Sequence, residues 1–170
     1  MGVNIKSGTD KFHSYLMRYK KDAISESMEG YYHADVVAEA YSQGFSDGEK
    51  SGKQDFIAEL IKKQGELFSQ KANQVYILSQ NVIAFVKSNG FEIKSMHINL
   101  NHNSPRVILS VFSETLNNDE FVEKVYGKIF ENKQIFSTLF HEALDIGLVA
   151  HDNLDVNLLK EDGFGYSEEY

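Results

Sequence analysis

Small residues recur at every fourth position in Ala40-x-x-x-Gly44-x-x-x-Gly48-x-x-x-Gly52, and this strip constrains the fold more than any other stretch of the chain. On a helix, positions four apart drift by about 40° per step, so the four residues would make a slowly winding groove where another backbone can come close. Each glycine costs roughly 0.8–1 kcal/mol relative to alanine in a helix interior, and three cost about 2.5 kcal/mol. Close helix–helix approach can offset such a cost, as small-xxx-small packing does in membranes. The same residues also read as a linker. SQGFSDGEKSG is rich in Ser, Asp and Gly, and Ser51 or Asp55 could cap a following helix. The apolar stripe begun by Val36, Val37, Ala40 and Tyr41 resumes at Phe56, Ile57, Leu60 and Ile61, which favours continuous helix.

Helical periodicity extends on both sides of the strip. Phe12, Tyr15, Leu16, Tyr19 and Ala23 form one stripe of a helix over 10–28, with Asp10 as its N-cap and Gly30 as its stop. Residues 54–70 form another helix, with Glu59 four residues before Lys63. A further helix over 73–89 is apolar on more than one stripe, so burial on two sides is expected. The period then changes. Phe91 and Ile93 have one parity while Met96, Ile98 and Leu100 have the other, which predicts a strand with a bulge near Lys94-Ser95. NHNSP is turn chemistry, and RVILSVFSE is β-branched and strand-like, so the two runs suit a hairpin. Residues 119–131 make an amphipathic helix with Phe121, Val122, Val125, Tyr126, Ile129 and Phe130 as its apolar residues. A third strand is expected within 136–150, followed by a short helical turn and an acidic end.

This order predicts an α+β fold: a helical N-terminal half of two to three helices, then a small αββαβ module. The module's sheet would be mixed or antiparallel and three-stranded, with an edge open to extension by pairing in a dimer. The expected divisions are 1–72 for the helical assembly region, 73–151 for the module and 152–170 for an acidic tail. The strip with its flanking aromatics Tyr41 and Phe45 resembles the glycine-repeat helix of flagellar and type III secretion stator proteins. The resemblance covers the strip and the coarse element order. It implies a dimeric, non-enzymatic regulator of an export ATPase. The chain departs from that family in its extra hairpin strand and in lacking the family's glycine-rich C-terminal segment.

Charge and composition narrow the function. The formal net charge is −8, and the excess of acid lies in residues 91–170. A non-specific nucleic-acid binder needs a basic surface, so nucleic acid is disfavoured as a partner, and a basic protein docking at the acidic C-terminal region is the expectation instead. There is no cysteine, which removes disulfides, thiol catalysis and thiolate metal sites. No run approaches the length of a membrane span and the N-terminus has no apolar core of a signal peptide, so a cytoplasmic protein is expected.

Catalytic motifs are missing. The six histidines form no H-x-x-x-H or H-E-x-x-H pattern. On strand parity His141 and Asp145 would share a face, as would His97 and Asn99. If those strands were neighbours, His97, His141 and Asp145 could approach a divalent metal, although exposed strand residues without a ligand are the simpler reading. The glycines lack the Lys and the preceding strand of a phosphate loop. The expectation is a non-enzymatic assembly or adaptor protein without cofactor, homodimeric through contacts at Ala40, Tyr41, Gly44, Phe45, Gly48 and Gly52. A small-ligand sensor with a pocket between the hairpin and its helices is the alternative.

Overall fold

The computed structural model describes residues 10–19, 50–100 and 104–170, with residues 50–55 described by their backbone alone. The chain divides into two units, Met1–Gln70 and Lys71–Tyr170. It is an α+β protein whose second unit carries a four-stranded mixed sheet.

Residues 10–19 are helical (α1), and they bury Phe12 and Leu16, four residues apart on the expected stripe. The next element, α2 (Lys50–Ser88), is one continuous helix rather than two. Nothing between Gln70 and Asn73 breaks a helix, since neither glycine nor proline intervenes. Within the first unit, Tyr19 of α1 stacks on Phe68 of α2 with centroids 5.4 Å apart. Burial holds the Tyr15 phenol up at about 12, with Tyr19 adding to the shift. Glu59 and Lys63 form the i,i+4 ion pair at 3.1 Å, which exposure makes worth little.

In the second unit, α2 buries Ala72, Val75, Tyr76, Leu78, Ser79, Val82, Ile83 and Val86. These form one broad face, and Ile77 on the other side stays exposed, so burial on two sides does not hold. The helix ends in a Schellman motif. Gly90 adopts φ 82°, its N–H donates to the Lys87 carbonyl, and the Phe91 N–H donates to the Val86 carbonyl. Phe91 thereby packs edge-on against Phe121. The parity shift expected as a bulge is therefore the helix exit, and the strand starts only at Ser95.

The sheet order is β3-β2-β1-β4. Strands β1 (Ser95–Asn99) and β2 (Arg106–Val111) pair antiparallel with Ser95 opposite Ser110 and His97 opposite Ile108. After β2 come a short helix, α3 (Ser113–Leu116), and the long α4 (Asp119–Phe140). Asn118 caps α4 by accepting from the Phe121 N–H. The helix outruns its expected end because ENKQIFSTLF contains no breaker, and it stops at His141, which takes the left-handed conformation at φ 55°. Strand β3 (Asp145–Ala150) then runs parallel to β2.

The sheet has four strands rather than three, because the residues expected as an acidic tail supply the last one. After a 3-10 turn (His151–Asn153), Asp155 caps α5 (Val156–Glu161) by accepting from the Asn157 and Leu158 N–H groups. A second Schellman motif, with Gly163 at φ 91°, turns the chain into β4 (Tyr166–Glu169), antiparallel to β1. Tyr76 and Tyr166 both donate to the Glu168 carboxylate, and Lys87 sits over the Tyr170 ring. These contacts fasten β4 to α2.

Directly paired residues share a face, so the register separates two surfaces of the sheet. Met96, Ile98, Val107, Leu109, Val111, Ile146 and Tyr166 make the apolar face, which α2 and α4 cover. The Asn81 amide of α2 donates to Asn132 of α4 at 3.1 Å. Ser95, His97, Asn99 and Ser110 make the opposite face, and all four are buried. The β3–β4 crossover passes over this side, since His151 reaches Ser110 and the Asp162 carbonyl accepts from Asn99. The β2–β3 connection moves to one edge over the apolar face, and the β3–β4 connection returns over the polar face. Reversing both direction and face keeps the crossover hand the same.

Candidate functional site

Two features of the second unit are candidates: the buried polar face of the sheet and the exposed apolar residues of α4. The polar face arises from the alternation in SMHIN, where every second side chain, Ser95, His97 and Asn99, points away from the apolar core. A hydrogen-bonded chain of four side chains crosses it. His97 Nε2 lies 2.9 Å from Ser95 Oγ, Ser95 Oγ lies 2.6 Å from Ser110 Oγ, and Ser110 Oγ lies 3.0 Å from His151 Nδ1. Ser95, His97 and Ser110 are buried, while His151 is partly exposed. Burial lowers the His97 pKa below the usual histidine range, the Glu169 carboxylate on β4 pulls it back up, and His151 lowers it further. Beside His151, Asp152 accepts from the Ser113 hydroxyl at 2.6 Å, and that hydrogen bond holds its carboxyl below the usual range.

A serine against an imidazole is the pairing of a nucleophile with its base. Here both hydroxyls are committed to side-chain partners at zero exposure. Among the described residues, neither oxygen is open to an approaching carbonyl.

The second feature lies on α4. Tyr126, Phe130, Ile135 and Leu139 are 37–63% exposed, although sequence periodicity places Tyr126 and Phe130 with the core residues. An open groove of about 560 Å³ runs along Phe130, Glu131, Gln134, Ile135, Thr138 and Leu139. Sites that grip small molecules enclose most of the ligand surface. A groove open along one helix suits another protein surface better.

No protein-family model, curated protein or solved structure matches this chain.

The sequence-based candidates separate widely. Ala40, Tyr41, Gly44, Phe45 and Gly48 lie outside the described residues, together with the choice between helix and linker. Gly52 falls within the first described turn of α2. His97 is buried in the network on β1. His141 is not on a strand: it is the exposed left-handed cap of α4. Asp145 opens β3 and lies 3.5 Å from Lys133. Among the described residues, no group of three or more His, Cys, Asp and Glu side chains could hold a metal ion. No helix among the described residues is long and apolar enough to cross a membrane.

Sequence reasoning placed His97 and Asn99 on one face but missed Ser95, Ser110 and His151. The alternation of S-x-H-x-N inside an apolar strand was the available signal. The partners across the sheet depend on register.

Proposed function

We propose that this chain is a non-enzymatic assembly or adaptor protein that forms a homodimer and acts through protein–protein contacts. The observation that carries the reading is α4, where Tyr126, Phe130, Ile135 and Leu139 stay exposed and the last three line an open groove. Exposed large apolar side chains beside an open groove are the kind of surface a protein partner covers. The inaccessibility of Ser95 and Ser110 supports a function without catalysis. The strip from Ala40 to Gly52 is the second proposed self-contact. Exposed carboxylates at Asp155, Glu161, Asp162 and Glu169 support a basic protein as a further partner.

The test is the solution mass of the wild type, of Phe130→Ser with Leu139→Ser, and of Gly44→Leu with Gly48→Leu, by light scattering. A wild-type dimer that the first double variant weakens supports the α4 reading. A dimer that only the second weakens moves the contact to the glycine strip, and a wild-type monomer refutes both.

A further inference from the structure

The four-membered chain His97–Ser95–Ser110–His151 joins residues from β1, β2 and the turn after β3. Its protons can be counted. Three hydrogen bonds need three protons, and the two hydroxyls supply two. The third must come from an imidazole. If both facing ring nitrogens were acceptors, the Ser95–Ser110 contact at 2.6 Å would have no proton.

We propose that these four side chains form a proton-sharing relay that fastens the β3–β4 crossover to the sheet. With both rings neutral, only two arrangements satisfy every group. In one, His97 Nε2–H donates to Ser95, Ser95 to Ser110, and Ser110 to His151 Nδ1, so both rings are Nε2–H tautomers. In the other, His151 Nδ1–H donates to Ser110, Ser110 to Ser95, and Ser95 to His97 Nε2, so both rings are Nδ1–H tautomers. The two histidines therefore share a tautomer. The relay also accepts one excess proton without losing a bond. When His151 is the cation, its Nδ1–H passes to Ser110, the Ser110 O–H proton to Ser95, and the Ser95 O–H proton to His97 Nε2. Three N–H or O–H bonds break and three form, with one proton moved from His151 to His97. A second excess proton makes both facing nitrogens donors, and one buried hydroxyl then loses its acceptor.

The charged groups around this relay come from five elements. Glu169 of β4 and the His151 ring act on His97, and Asp152 adjoins His151 in the turn. On α5 and its ends, Asp155, Lys160, Glu161 and Asp162 are exposed. Arg106 of β2 and Asp145 of β3 share the face of the sheet on which His97 lies.

The test is long-range ¹H–¹⁵N spectroscopy of the histidine rings in the whole chain, at pH 8 and through a titration to pH 5. The relay requires the same neutral tautomer for His97 and His151 and titration curves in which each ring reports the other's step. Ser110→Ala should reduce the curves to independent single steps. His151→Gln, at the partly exposed end, is the second variant should Ser110→Ala fail to fold, and it should shift the His97 titration. Opposite tautomers in the wild type, or a His97 titration unchanged in either variant, would overturn the proposal. Amide exchange across 151–164, corrected for intrinsic rate, should rise only at the acid end of the titration. A rise at the first protonation step, or no rise at the second, would refute the fastening role.

Discussion

Gly163 turns the chain from α5 into β4, and replacing it with alanine isolates what that turn contributes. The residue sits at φ 91°, with its own N–H and that of Phe164 closing a Schellman motif on Lys160 and Leu159. An L-residue in left-handed backbone costs about 1–2 kcal/mol. The unfolded chain loses freedom at the same time, which returns about 0.4–1 kcal/mol. The expected net destabilisation is about 1 kcal/mol. Gly127→Ala provides a contrast of opposite sign in the same unit. Gly127 lies in the middle of α4, and a Cβ there meets nothing within 4 Å. That change should stabilise by about 0.8–1 kcal/mol through helix propensity, leaving the two variants about 2 kcal/mol apart. The chain contains no tryptophan, so urea unfolding is best followed by far-UV circular dichroism. The transition to compare is that of the unit Lys71–Tyr170. A Gly163→Ala variant as stable as the wild type would refute the placement of the C-terminal segment as a strand held by this turn.

Further consequences can be measured separately. Asn118→Ala removes the acceptor for the Phe121 N–H and should cost about 1 kcal/mol in the same unfolding assay. His97 has a lowered folded-state pKa, so above about pH 6.5 neither state binds its proton and stability is complete. As pH falls through that unfolded-state value, the unfolded chain takes up a proton the native state resists, and stability declines until the folded pKa is reached. Urea midpoints at pH 7.5 and 5.5 check this, with a smaller difference expected for His97→Gln. Phe130→Ser should leave unfolding of the isolated chain within about 0.5 kcal/mol of wild type, because the ring is exposed. In a dimer that buries the ring, the same change should weaken association by about 1.5–3 kcal/mol per side chain, read from a dilution series.

Elements that carry their own periodicity were legible in the sequence. The β-branched run at Val107–Val111, the stripe of α2 and the stop at Gly90 each follow from local chemistry. The C-terminal half of α4 was missed because Phe140, Leu144, Ile146 and Leu148 imitate strand alternation across a helix end. His141 closes that helix in a conformation histidine adopts without any sequence signature. Strand β4 was illegible for a different reason. Tyr-Ser-Glu-Glu is short and acidic, and together with the following Tyr170 it is held by Tyr76, Gln80 and Lys87 of a distant helix. The relay depends on Ser95 meeting Ser110, a matter of register, and on His151 being brought back by the crossover. Tyr126 and Phe130 matched a core pattern and proved exposed, which burial alone could reveal.

Self-association is tested most directly by the absolute mass of the wild-type chain, measured by light scattering at micromolar concentration. A homodimer has twice the chain mass of 19.3 kDa, and the mass should fall toward a single chain in Phe130→Ser with Leu139→Ser. A mass of one chain across the whole concentration range would contradict self-association.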